Sequence, residues 1–235
     1  MGEIGQYSPF YKYVIYEVMN MYSYNKKYFE KIDTVEKAYW LGFIAADGNI
    51  RKDLLRMRIE LNIRDKEHLE KFKESIEGNM PIKLTKKVDC NSCYIDVNSK
   101  DFCLNLVNLG ITPNKSLTLK INWSLIPQDL IKYVIRGYFD GDGSLNIYQE
   151  RGLDEWELSF IGTENTLLFF QQELNINKKL FSCGKNFRFM LKSKKDILNA
   201  LLYFYNDSEI FLDRKYEKVL DFFGSQRLPK DNLNG

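Results

Sequence analysis

Three features of the chain predict an α+β fold made from two copies of one half-domain. The stretch TVEKAYWLGFIAADGNI around Asp47 is echoed by DLIKYVIRGYFDGDGSL around Asp142. Each is followed by strand-like segments and then a helix with a good N-cap, at Asp65 in RDKEHLEKFKESIEG and at Thr163 in GTENTLLFFQQELN. A later helix, SKDFCLNLVNLG from Ser99, is matched by SKKDILNALLYFYN from Ser193. A period of about one hundred residues, present only twice, is too long for a solenoid and points to fused αββαββα halves related by a pseudo-two-fold axis.

The elements can be justified in order. Residues 1–33 lie outside the duplication, and Ser8 with Pro9 supplies an N-cap and first helical position for FYKYVIYEVMNMYS. Asp33 and Glu36 form a capping pair before the first motif helix. The first half then spans 34–126, and the second spans 127–224 with Pro127 opening its motif helix. Residues 225–235 form a tail.

Strands are predicted by period-two alternation. In LLRMRIELNI, Leu55, Met57, Ile59, Leu61 and Ile63 share one face, with Arg56, Arg58, Glu60 and Asn62 on the other. PIKLTKK sets Ile82 and Leu84 against Lys83, Thr85 and Lys87, and the second copy sets Phe187, Phe189 and Leu191 against Arg188 and Lys192. Any antiparallel sheet with one solvated face alternates this way. The recurrence of Arg and Lys on the polar faces is the additional signal.

Composition bounds the function. With 44% hydrophobic and 28% charged residues, the 235-residue chain is globular in composition. Its apolar runs are too short for a bilayer, and Gln6 breaks the myristoylation pattern that Met1-Gly2 would start, so it reads as soluble and intracellular with no membrane partner. A net charge of +2 requires any nucleic-acid-binding residues to be segregated on one face. Cys90 and Cys93 form one C-x-x-C, and zinc would need Cys103, Cys183 or His68 from distant segments, so a plain hairpin turn is the better reading. His68, in a run of Lys and Glu, reads as a surface or rim histidine.

The motif helices carry the chemistry. Gly42 and Ala46 in the first, and Gly137 and Gly141 in the second, place small residues four apart, which lets two helix backbones touch. Pairing through those faces would bring Asp47 and Asp142 together. Adjacent carboxylates repel, and a shared hard divalent cation such as Mg²⁺ neutralises them. A lone Asp-Gly is only a helix end followed by a glycine, but two at matching positions are more than that. An acid at a helix C-terminus opposes the dipole, so it calls for a compensating positive charge. An EF-hand starting at Asp140, Asp142 and Ser144 fails, because Leu145 stands where glycine is needed and Arg151 where the bidentate Glu is needed.

WLGFIAADG (Trp40–Gly48) and IRGYFDGDG (Ile135–Gly143) resemble the two copies of the LAGLIDADG motif of homing endonucleases. The resemblance extends over about residues 33–223 and includes the closing stretches LGITPNKSLTL and FLDRKYEKVL. It implies that Asp47 and Asp142 are metal ligands and catalytic acids, with the Ala46 and Gly141 carbonyls as further ligands. Asp140 occupies the motif position that is often acidic, and Ala45 departs from it. Lys115 and Lys215 match the basic residues near the scissile phosphate, with Arg214 a neighbouring rival. Asn62 matches a group that orients water.

The implied activity is Mg²⁺-assisted cleavage of both strands of a long, asymmetric duplex DNA by a monomer, with the two sheets forming a saddle over the major groove. Arg51, Arg56, Arg58, Lys83, Lys87, Arg188 and Lys192, with Asn146 and Tyr148, are the DNA-facing candidates. The same fold also serves as an intron-RNA maturase, and a DNA-binding regulator with lapsed chemistry is a third reading. Retention of both Asp47 and Asp142 favours the enzyme.

Overall fold

The computed structural model describes residues 22–85, 91–150 and 152–225. The helix expected from Ser8 and Pro9 lies outside the described residues, as do Lys87, Cys90, Arg151 and most of the tail.

The first motif helix, α1 (Val35–Asp47), runs directly into β1 (Gly48–Ile50) and then β2 (Met57–Asn62). Helix α2 (Lys66–Ser75), strands β3 (Lys83–Leu84) and β4 (Ser92–Val97), and helix α3 (Lys100–Asn108) complete the first copy. The second copy repeats the order: α4 (Ile131–Asp142), β5 (Ser144–Glu150), β6 (Leu153–Gly162), α5 (Glu164–Glu173), β7 (Phe181–Cys183), β8 (Asn186–Leu191) and α6 (Lys194–Tyr205). Both sheets are antiparallel, in the orders β1-β2-β4-β3 and β5-β6-β8-β7. The fold is the duplicated αββαββα arrangement.

The copies differ where they close. After α3 the chain makes a 3-10 turn at Lys115–Leu117, entered through Asn114 in the left-handed region (φ 61°). After α6 it forms a full helix, α7 (Asp213–Ser225). Lys115 and Lys215 nonetheless occupy matching places at the starts of these segments. Pro127 opens a 3-10 turn, Gln128–Leu130, that leads into α4.

Local capping departs from expectation at three points. Thr34, not Asp33, caps α1 by accepting from the Lys37 N–H, while Asp33 binds Lys37 Nζ at 2.8 Å. Glu36 accepts from the Ser75 hydroxyl instead of completing a box. Asp65 and Thr163 hold cap positions without capping: Asp65 turns to Arg214, and the Thr163 hydroxyl donates to the Leu119 carbonyl at 2.8 Å. Ser99 and Ser193 cap α3 and α6 by accepting from the Phe102 and Asp196 N–H groups.

The alternation holds in β2, β4 and β8, where Met57, Ile59, Leu61, Cys93, Ile95, Phe189 and Leu191 are buried. It fails at β3, a two-residue edge strand whose Leu84 is 62% exposed, with Ile82 just ahead of it half-buried. Ile63 is likewise exposed, because the chain leaves the sheet there for a 3-10 turn. Tyr28, Phe29 and Ile32, ahead of the first motif, are buried, with the Phe29 ring edge-on to Phe102. His68 is also a correction: it is 2% exposed, packed against Tyr39, Trp40 and Phe43. Lys and Glu surround it in sequence, but one helical face of α2 also carries Leu69 and Phe72 into the core. Among the described residues, no helix is long and apolar enough to cross a membrane.

Candidate active site

Helices α1 and α4 meet backbone to backbone. A Cβ on Gly42 would collide with the Val134 carbonyl and lie 2.9 Å from the Tyr138 amide nitrogen. One on Gly137 would collide with the Tyr39 carbonyl and lie 2.8 Å from the Phe43 amide nitrogen. The interdigitation is reciprocal, as a two-fold seam requires. One turn further on, the Cβ position of Gly141 falls against Ala46 Cβ and 3.1 Å from Asp47 Oδ2. The small residues therefore bring the two helix ends, each terminating in an aspartate, into one place.

Their electrostatics record that crowding. Burial, and then the charge of Asp142, push the Asp47 carboxyl up to about 6. The Asp142 carboxyl is raised as well, because protein packed around it displaces water although the residue as a whole is exposed. Lys115, Lys215 and Arg214 oppose the shift at Asp47, and the two lysines oppose it at Asp142.

Both lysines are buried beside the carboxylates, Lys115 at 8% and Lys215 at 6% exposure. The Lys115 ammonium donates to the Ala46 carbonyl, and that of Lys215 donates to the Phe139 carbonyl at 3.2 Å and to the Gly143 carbonyl. Each half thus caps the C-terminal carbonyls of its own motif helix with a lysine. This is the compensating positive charge that an acid at a helix C-terminus calls for. Burial holds the Lys115 ammonium below its ordinary value and lowers Lys215 to about 8. A cavity of about 180 Å³ opens beside Asp142 and Lys115 and is lined also by Ser116, Thr163 and Asn186. Among the described residues, the buried Oδ1 of Asn186 has no hydrogen-bond partner.

The remaining candidates are placed differently. Asn62 turns its carboxamide oxygen to the Arg64 N–H at 3.1 Å, capping the turn after β2. Arg214 is tied by Nε to both oxygens of Asp65, at 2.9 and 3.1 Å. Asp140 is fully buried away from solvent and accepts from Tyr39, Tyr205 and the Leu212 N–H.

Most of the basic DNA-facing candidates are engaged with acids close by. Arg51 pairs with Asp53. Arg58 pairs with Asp96 through two nitrogens, and Arg56 Nε lies 3.7 Å from the same carboxylate. Arg188 pairs with Glu157, and Lys192 lies 3.8 Å from Glu157. Asn146 accepts from Lys218 at 3.2 Å, Lys192 sits over the Tyr148 ring, and Lys83 is exposed. Sequence alternation finds the cations but misses Asp96 and Glu157. Asp96 lies two residues after Tyr94 in YIDV, where the same alternation, applied to β4, would have shown it.

The donor set suits a hard cation. Two crowded carboxylates at the helix ends, with backbone oxygens next to them, are oxygen-only ligands of the kind Mg²⁺ takes with one or two carboxylates and water. Of the two backbone candidates, the Ala46 carbonyl already accepts the Lys115 ammonium. Among the described residues no group of three or more His, Cys, Asp or Glu converges. Cys93 and Cys103 are buried free thiols and Cys183 is an exposed one.

No protein-family model matches the chain, and no curated protein matches its sequence. Solved structures do match. The chain is similar to the LAGLIDADG meganuclease I-AabMI bound to uncleaved DNA, with TM-score 0.58 and 13% identity over 80% of this chain and 88% of that one. It is similar to the LAGLIDADG homing endonuclease I-LtrWI bound to target DNA (TM-score 0.55, 15% identity, 86% and 92%). It is also similar to I-SmaMI bound to cleaved DNA (TM-score 0.57, 14% identity, 83% and 89%). The chain has the fold of the LAGLIDADG homing endonucleases.

Proposed function

We propose that the protein is a site-specific endonuclease that cuts both strands of a long, asymmetric DNA duplex, acting as a monomer with Mg²⁺. The observation that carries this reading is the convergence of Asp47 and Asp142 at the ends of two touching helices, each end capped by a buried lysine. Neither an RNA-splicing role nor pure DNA binding gives a physical reason to hold two carboxylates where the charge of Asp142 raises the Asp47 carboxyl.

Asp47 and Asp142 would hold the metal, which when bound supplies Lewis-acid charge to activate water and to stabilise the leaving oxygen. The protein's own contribution is position and charge. The seam fixes the carboxylates relative to each other, so little reorganisation accompanies reaction. Lys115 and Lys215 bring positive charge to the pair, where negative charge would develop on a phosphate. Lys215, at about 8, is poised to give up a proton near neutral pH. The polar sheet faces differ in their charged residues, with Arg58 and Asp96 on one and Arg188 and Glu157 on the other. Unlike faces suit an unlike pair of half-sites.

A plasmid library with randomised inserts, incubated with the protein and Mg²⁺, tests the reading. Linear products sharing one insert sequence are expected from wild type, and none from Asp47→Asn or Asp142→Asn. Equal cleavage by either variant would remove the carboxylates from the mechanism.

A further inference from the structure

On the polar face of the first sheet one guanidinium is held on two sides. Arg58 on β2 and Asp96 on β4 are directly opposed in register. Arg58 Nε donates to Asp96 Oδ1 at 2.8 Å, and Nη2 donates to Oδ2 at 2.9 Å. The Tyr94 ring, on the same face of β4, lies 3.7 Å from the guanidinium carbon. Arg58 is left 24% exposed and Asp96 13%.

A guanidinium carries five N–H groups in a rigid planar fork. The pairing with Asp96 is side-on, so it consumes Nε and one N–H of Nη2. Three N–H groups remain, and the Nη1–Nη2 end of the fork keeps one on each nitrogen. Among the described residues, the nearest acid to Nη1 is Glu60, at 3.9 Å, beyond hydrogen-bond distance. Two parallel N–H groups at the end of a fork are the arrangement that reads O6 and N7 of guanine in the major groove. An arginine already fixed by a carboxylate and a ring loses little rotamer freedom on docking.

We propose that Asp96 and Tyr94 are positioning residues that present Arg58 as a guanine reader, and that they do so in only one half of the target. This rests on the DNA-recognition reading above. Among the described residues, the second sheet lacks the device. Asn49 faces Arg58 and Ser144 faces Ser159, so Ser159 holds the place of Arg58, and Met190, opposite Ser159, holds that of Asp96. Ser159 is 2% exposed and bonds to Ser144, so it offers no donor to a base.

The test is binding selection from a randomised duplex DNA library in EDTA, which needs no cleavage, with the melting temperature of each variant measured alongside. Wild type should enrich a sequence with one strongly preferred guanine. Arg58→Lys keeps the charge but loses the fork, and Asp96→Asn keeps the shape but loses the side-on acceptor pair. Each should cost about tenfold to a hundredfold in discrimination at that one position and leave the others unchanged. Tyr94→Leu should weaken the same position, and the Arg58→Lys/Asp96→Asn double variant should lose no more than either single one. Wild type that enriches nothing would overturn the DNA-recognition reading and this inference together. Enrichment that Asp96→Asn leaves intact would overturn the inference alone. So would a cytosine preference lost in Asp96→Asn but kept in Arg58→Lys, which would make Asp96 itself the reader. A uniform loss across all positions with a lowered melting temperature would make the pair merely structural.

Discussion

Tyr39 of the first motif helix donates its hydroxyl proton to Asp140 of the second across 2.7 Å, with both side chains fully buried. The same carboxylate accepts from the Tyr205 hydroxyl and, at 2.8 Å, from the Leu212 N–H. Because the Tyr39 proton is committed to Asp140, His68 Nε2, 3.0 Å from the Tyr39 oxygen, must be the protonated ring nitrogen. Asp140 thus ties α1, α4, α6 and the entry to α7 into one buried network, and the acid that Ala45 lacks has a structural role in the second half only.

Asp140→Ala should therefore behave as a core lesion. It strands two tyrosine hydroxyls and one backbone N–H in the interior, at roughly 1–3 kcal/mol for each group left unpaired. A loss of about 3 kcal/mol or more in urea-unfolding stability is expected. A loss below about 1 kcal/mol would show that water replaces the carboxylate.

Much of this was legible in the sequence, and what was not has a common cause. The duplicated motif exposed the repeat, and small residues four apart exposed the seam, because both are local patterns. The lysines could be located but not their bonds to the Ala46 and Gly143 carbonyls, since those depend on where two closing segments return in space. The burial of His68 and the turning of Asp65 to Arg214 were hidden for the same reason: partners distant in the chain decided them, Tyr39 of α1 for His68 and Arg214 of the other half for Asp65. Leu84 misled because alternation assumes a strand long enough to have a buried face.

His68 supplies a pH dependence. Burial first, then Lys71 and Arg214, depress it to about 3 from its ordinary 6.5. A histidine neutral in the folded state contributes stability that is full above the unfolded value and is lost as pH falls below about 6.5 toward 3. By pH about 4.5 the loss should reach roughly 2–3 kcal/mol. Denaturation at several pH values should show that part of the acid slope missing in His68→Gln. Parallel slopes for the two proteins would place the acid sensitivity elsewhere.

Gly137→Leu tests the seam. The new side chain must enter the space of the Tyr39 carbonyl, which cannot move without breaking α1. Overpacking of this kind costs about 1–3 kcal/mol, and more where backbone is struck. A displacement on the order of 1 Å at the carboxylates would cost about a hundredfold in rate. Gly224 in α7 has nothing among the described residues within 4 Å of its Cβ position, so Gly224→Ala is the control and should not destabilise. Melting temperature and cleavage rate should both fall in the first variant and neither in the second. Wild-type values for Gly137→Leu would mean the helices do not touch in solution.

Asp47→Asn should stabilise the metal-free protein while removing its activity. The Asp47 carboxyl is raised to about 6 by burial and by Asp142. A carboxyl whose folded value lies above its unfolded one contributes stability in acid that disappears as pH rises through the folded value. Above pH about 6 the protein therefore carries the full penalty of the crowded charge, up to about 3 kcal/mol at one shift unit per 1.36 kcal/mol. The amide removes that penalty, so the variant should melt higher than wild type at pH about 7.5 in EDTA. The difference should shrink to about 0.5 kcal/mol near pH 4 and vanish below pH about 3, where the carboxyl is protonated in the folded and the unfolded chain alike. Adding Mg²⁺ should raise the melting temperature of wild type and leave that of the variant nearly unchanged, because only wild type offers two carboxylates to the ion. A variant less stable than wild type in EDTA at pH about 7.5 would show that the Asp47 charge is already well balanced by Lys115 and Lys215. The case that the pair is held together for a metal would then lose its energetic basis.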